Sequence, residues 1–262
     1  MRRAALHVFV GLLLYVGLVP ASVADADRPI VAAASDLQYA LDAVAERFTA
    51  DTGREVRLNY GSSGNFRRQI AQGAPFELYL SADESYVEAL YRDGHLVDEG
   101  VVYAIGRVVV LIGEGGDASL LDGSLDALGR RLGEGDLARF AIANPEHAPY
   151  GVAAREALQD AGLWGAIQPH LIHAENVSQA ARYALSGETD GGIVALSLAR
   201  AGPIADRSQF DRIPEAMHAP LRQRMALVEG AGETATAFYE YLQQDPARSI
   251  LHDYGFVLPD GV

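Results

Sequence analysis

Beyond residue 27 the apolar positions along this chain recur in two alternating rhythms. Short contiguous runs rich in β-branched residues, bounded by Gly, Pro, Asn or Asp, give way to stretches with an apolar residue at every third or fourth position. "PIVAAAS" predicts a buried strand, and Leu37, Ala40, Leu41, Val44 and Phe48 mark one face of the helix after it. The same pair recurs as "REVRLNYG" then "FRRQIAQGAP", and as "FELYLSAD" then "ESYVEALYRDG". The run "VVYAIGRVVVLIG" is longer, and it reads as a crossing into a second lobe. Strand and helix then alternate again through "RFAIANPEHAPYG", "VAAREALQDAG", "HLIHAENVSQAARYALSG" and "GGIVALS". "QRMALVEG" reads as a returning strand, and two helices broken near Asp245-Pro246 close the chain. Alternation of this kind predicts parallel sheet covered by helices on both faces. The expected class is α/β and bilobal, with two parallel or mixed-sheet lobes joined by two crossover segments. One lobe takes 27–106 and 223–262, and the other takes 107–222.

Ahead of this pattern, Arg2 and Arg3 precede an apolar run from Ala4 to Leu18 and small residues around Ala24 and Ala26. This is the form of a secretory signal peptide over residues 1–26, with a run too short for a stable membrane span. The chain has no cysteine, which excludes disulfides, thiolate metal ligands, cysteine nucleophiles and a lipid-bearing cysteine. An exported, soluble protein without a lipid anchor is the expectation. Its net charge of −14 makes nucleic acid a poor partner, and loss of the leader makes the charge one unit more negative.

Chemistry in a parallel α/β sheet collects where strands end and helices begin. Four loops occupy such places: Ala34-Ser35-Asp36, Ser62-Ser63-Gly64-Asn65, Ala148-Pro149-Tyr150-Gly151 and Glu175-Asn176-Val177-Ser178. Helix N-termini present unpaired N–H groups and the positive end of the helix dipole, so these loops suit an anion. Serine hydroxyls add donors without adding charge. Each loop taken alone also has an ordinary explanation, in which serine and asparagine cap a helix and glycine turns the chain.

The ordered series "VAAASDL", "GSSGNFRRQI", "GAPFELYLSAD", "NPEHAPYG" and "DYGF" resembles the periplasmic molybdate-binding proteins of bacterial ABC importers, from about Ile30 to Phe256. The resemblance implies a type II periplasmic binding fold, no enzymatic activity, no cofactor, a membrane permease as partner, and a monomer holding molybdate or tungstate between its lobes. It places ligand-binding hydroxyls on Ser35 and Ser63 and ligand-binding backbone amides at Tyr150 and Val177. The anion is held through its oxygens, with no protein ligand to the metal.

Several positions depart from the family or stay open. Ala195 stands where many members carry a tyrosine, and the Tyr150 hydroxyl is a candidate replacement. Asn65 either adds a donor or caps its helix, and Ser62 is a further candidate donor. Asp36 is expected as an N-cap; facing the ligand, it would favour protonated phosphate. Sulfate and phosphate remain alternative anions. "GSSGN" also falls one residue short of the nucleophile elbow of a serine hydrolase, with His147 as the best-placed base. Tyr239 and Tyr241, two apart on one helix, cannot face one iron site together.

Overall fold

The computed structural model describes residues 28–259; the expected leader lies outside the described residues. The elements run β1 (Ile30–Ala34), α1 (Gln38–Thr52), β2 (Arg57–Gly61), α2 (Ser63–Ala71), β3 (Leu78–Ser81), α3 (Glu84–Arg92), β4 (Val101–Gly106) and β5 (Val108–Gly113). They continue with α4 (Asp126–Glu134), β6 (Phe140–Ala143), α5 (Pro149–Asp160), α6 (Trp164–Ile167), β7 (Leu171–Ala174), α7 (Val177–Leu185) and β8 (Gly191–Ala195). The remainder is α8 (Leu196–Ala199), α9 (Gly202–Ala205), β9 (Ser208–Arg212), β10 (Leu221–Leu227), α10 (Glu233–Tyr241) and α11 (Asp245–Asp253).

Two five-stranded sheets form, with orders β2-β1-β3-β10-β4 and β7-β6-β8-β5-β9. Each contains three parallel strands, and each has an antiparallel strand inserted next to them: β10 in the first sheet and β5 in the second. The sheets are therefore mixed. The run read as the crossing between lobes consists of two strands, β4 and β5, which leave Arg107 as the step from one sheet to the other. The chain returns to the first sheet at Leu221.

Helices cover both faces of the first sheet. On one side α1 presents Leu41, Val44 and Phe48, and Phe48 meets Phe238 and Tyr241 edge-on at 5.0 and 5.3 Å. On the other, Phe66, Ile70, Val87 and Leu90 close over Ala32 and Tyr79. Burying one such side chain contributes roughly 1.5–3 kcal/mol. Tyr239 and Tyr241 belong to this packing: Tyr241 is buried and donates to Asp51 at 2.6 Å. In the second lobe Phe140, Ile142, Ile193 and Val194 form the sheet core, on which α5 and α7 lie.

Strand register sets the position of the loops. Ala34 pairs with Gly61 and Ala33 with Leu80, so β1, β2 and β3 end along one edge. Ala143 pairs with Ala174 and Ile142 with Ile193, so β6, β7 and β8 end along another. The two edges face each other, and Ala34, Ala82 and Leu221 of the first lobe join the second lobe's apolar cluster.

Candidate functional site

Each edge supplies a different kind of donor. From the first lobe, Ser35 follows β1 and Ser63 opens α2, and both are buried. Ser63 Oγ accepts the Ala82 N–H at 3.0 Å, and its carbonyl accepts from Tyr79 Oη at 2.8 Å. Ser35 Oγ accepts the Ser178 N–H from across the cleft at 3.3 Å. A hydroxyl whose oxygen accepts from a fixed backbone amide keeps its own hydrogen to donate elsewhere. Neither serine hydrogen has an acceptor among the described residues, so both are free to be aimed at a ligand.

The second lobe offers main chain. Pro149 starts α5, a position that needs no N–H, and leaves the Tyr150 N–H as the first available amide of that helix. Asn176 caps α7, accepting from Gln179 N at 3.0 Å and from Ser178 Oγ at 2.9 Å, with Val177 the first helical residue. No backbone acceptor is found for Tyr150 N or Val177 N among the described residues. Helix N-termini leave such groups unpaired and positively polarised.

Ser35, Ser63, Tyr150 and Val177 line one small cavity of about 10 Å³, together with Ala34, Asp36, Gly61, Ser62, Ala82, Ala148 and Pro149. No arginine or histidine is in that lining. The larger hollow beside Arg28, Asp42 and Tyr60 is an open surface groove. Apart from the Asp36 carboxyl, the cavity is thus walled by neutral donors and two helix starts, an arrangement that attracts negative charge without a counter-ion.

Close approach of the lobes depends on glycine. Gly64 N donates to His147 O at 3.0 Å across the cleft, and a Cβ on Gly64 would stand 2.7 Å from that oxygen. Gly151 lets α5 settle on β6, since a Cβ there would lie 2.2 Å from Ala143 O.

Three positions differ from their sequence readings. Asn65 is neither a cap nor a cavity donor: its amide bonds Glu175 across the cleft and receives Arg68, because the turn of α2 carries it to the rim. Ser62 borders the cavity, but its hydroxyl is engaged with His147 Nδ1 at 2.9 Å. Asp36 does not cap its helix, since neither the short turn Ser35–Leu37 nor α1 has a side-chain cap.

Instead Asp36 is 1% exposed and sits in a buried polar cluster. Gln223 Nε2 donates to Asp36 Oδ2 at 2.6 Å and approaches Tyr150 Oη at 3.2 Å, while Tyr103 Oη donates to Gln223 Oε1 at 2.7 Å. Asp36 Oδ1 has no partner. Burial pushes the Asp36 carboxyl up to about 6, against the pull of its bonds to Gln223 and Tyr150. Burial and the neighbouring carboxyl raise the Tyr150 phenol well above its ordinary value. The Tyr150 hydroxyl is therefore turned to Gln223 and Asp36, beside Gly106, where a Cβ would stand 2.2 Å from it. Ala195 is fully buried at the end of β8. Gln223 went unread in the sequence, although it occupies an inward position between Leu221 and Met225 on an apolar strand face. Its polarity among those neighbours is the signal that would have found it.

The hydrolase geometry is not assembled. The elbow position falls on Ser63, whose hydroxyl meets Ala82 N, whereas His147 is bonded by Ser62.

Residues 30–257 match the family model of the bacterial extracellular solute-binding proteins. The chain belongs to that family. This solute-binding protein is 33% identical to the molybdate-binding protein ModA of Rhodobacter capsulatus, over 94% of this chain and 94% of that protein. It is 31% identical to ModA of Escherichia coli K12, over 98% of this chain and 100% of that protein. Among solved structures, the periplasmic molybdate-binding protein of Azotobacter vinelandii superposes with a TM-score of 0.80 at 30% identity, covering 89% of this chain and 100% of that one. The bilobal α/β architecture of this solute-binding protein is thus that of the molybdate-binding relatives.

Proposed function

We propose that this protein captures molybdate, or tungstate of the same shape and charge, and delivers it to the membrane permease of an ABC importer. The observation that carries this reading is the convergence of two buried serine hydroxyls and two helix-start amides on one cavity without a cation. Ser35 and Ser63 donate from the first lobe, and the Tyr150 and Val177 amides donate from the second. Because the donors come from both lobes, an anion is fully coordinated only when the cleft is shut. Release then requires opening and breaks no salt bridge. The protein acts in the periplasm as an exported monomer without a lipid anchor, and it needs no cofactor.

Neutral donors also explain selection. A protonated oxyanion held by Ser35, Ser63 and the two amides finds no acceptor for its hydrogen among these four donors, at about 1–3 kcal/mol for an unmade buried bond. Fully ionised tetrahedral dianions escape that cost, and cavity size separates sulfate from the larger metal oxyanions. Calorimetric titration of ligand-stripped protein with molybdate, tungstate, sulfate and phosphate is the test. Tight one-to-one binding of the two metal oxyanions with little sulfate heat is the expected result, and silence toward both overturns the reading.

A further inference from the structure

A carboxyl group in the wall of an anion cavity conflicts with the rest of that wall. Asp36 borders the same cavity as Ser35 and Ser63, is 1% exposed, and keeps one carboxyl oxygen, Oδ1, without any partner. Its other oxygen is held by Gln223 Nε2 at 2.6 Å. That bond occupies one oxygen and leaves the other unclaimed. A bare carboxylate beside a dianion would repel it strongly in so dry a place. A carboxylic acid there is a donor like its neighbours.

We propose that Asp36 meets the bound oxyanion as a neutral acid, with Oδ1 carrying a proton that it donates to an anion oxygen, so that each captured dianion brings one proton from solvent into the site. The proposal rests on the anion-capture reading above. The balance is simple: the ionised carboxyl of the free protein, one proton and one dianion give a neutral carboxyl bonded to the dianion. No other bond forms or breaks.

Burial favours the neutral form of Asp36 and outweighs the opposite pull of the bonds from Gln223 and Tyr150, none of which brings a charge. Gln223 of β10 is a neutral amide, and Tyr150 of α5 and Tyr103 of β4 are phenols kept protonated by burial. On α8, Ser197 Oγ donates to the Asp36 carbonyl at 2.7 Å. From β2 and α7, Gly61 and Val177 share the cavity wall, and neither carries a charge. The ionisable groups at the rim are spoken for: His147 by Ser62, Glu175 by Asn65. The arginines of β10 and α7 are turned elsewhere, Arg222 and Arg224 to Glu84 and Arg182 to Ser178, and none lines the cavity, so the carboxyl is pushed up to about 6 in the closed cleft. A buried acid kept neutral so that it can donate a hydrogen bond has precedent in enzyme oxyanion sites.

The sign of the pH dependence follows by linkage. Below the free-state value the proton is already present and affinity is flat. Above it, binding must take the proton up, and affinity falls about tenfold per pH unit until the bound-state value is reached. Asp36 thus makes capture depend on acidity at a site whose other donors are insensitive to it.

The test is calorimetric titration with sodium molybdate from pH 6 to 9, repeated in buffers of different protonation enthalpy, on wild type and Asp36→Asn. Wild type is expected to take up about one proton per molybdate at pH 7.5, with Kd rising about tenfold from pH 7 to 8. Asp36→Asn supplies an amide donor at every pH, so it is expected to bind more tightly than wild type at pH 8.5, with no proton uptake and a flat profile. Molybdate binding by wild type with no proton uptake and a flat Kd overturns the proposal. Phosphate binding without proton uptake at pH 8 also overturns it, because the carboxylate would then be accepting from the ligand. Absence of molybdate heat in both proteins at every pH overturns the anion-capture reading, and this inference with it.

Discussion

The two lobes face the same cavity with different materials. The first offers side-chain hydroxyls, Ser35 and Ser63, each oriented by an amide hydrogen bonded to its oxygen. The second offers backbone amides at the starts of α5 and α7, where side chains cap the helix or bond the buried cluster. The difference is one of vulnerability. A hydroxyl is removed by one substitution, whereas an amide is lost only if the helix start itself moves. It also bears on how each half of the site reads in sequence: the serines are visible as letters, and the amides only as positions.

The largest expected effect comes from removing a first-lobe hydroxyl. Ser63→Ala or Ser35→Ala is expected to weaken molybdate binding by roughly 1.5–3 kcal/mol, about ten- to a hundredfold in Kd, since each loses a hydrogen bond to a charged group. Titration calorimetry reads this directly, and an unchanged Kd in either variant would break the comparison. Asp36→Asn should act on stability with a clear sign. The Asp36 pKa is raised from 3.8 to about 6 on folding, so its contribution is fully favourable below pH 3.8 and is lost as pH rises through 6. The variant is therefore expected to be more stable than wild type by about 2–3 kcal/mol at pH 8 and by nothing below pH 3.8, as read by urea denaturation at both values.

Gly64→Ala tests closure. Its Cβ would meet backbone, His147 O at 2.7 Å, which cannot rotate away as a side chain can. Molybdate Kd is expected to rise about tenfold with little change in thermal midpoint, and scattering should show a more open molecule. The smallest effects belong to the second lobe. Tyr150→Phe removes a buried hydroxyl bonded to Gln223, costing about 1 kcal/mol of stability while its amide goes on serving the ligand. Val177→Ala is expected to leave Kd within about twofold, and a loss as large as that of Ser63→Ala would show that side chains, not amides, serve the ligand from this lobe.

Much of the architecture could be read from the chain. Apolar period distinguishes strand from helix locally, and β1 through α3 fall where the pattern puts them. The elements that escaped it include α6, α8 and α9, each a single turn, the short edge strand β9, and α4, which buries only Ala127 and Leu128. The run around Arg107 was legible as the crossing between lobes, and the pairing partners divide it into β4 of one sheet and β5 of the other.

By itself, then, the amino-acid order determined two α/β lobes, the strand-to-helix loops that hold the site, and the candidate hydroxyls of Ser35 and Ser63. Periodicity and helix-start chemistry act over a few residues, so they survive in the linear text. Tertiary structure alone decided where each polar side chain points. It sent Asn65 to Glu175, Ser62 to His147, and Asp36 to Gln223, a partner 187 residues away. A donor's direction is settled by whichever acceptor the folded chain brings within about 3 Å, and that proximity is a property of the packed lobes rather than of any local segment.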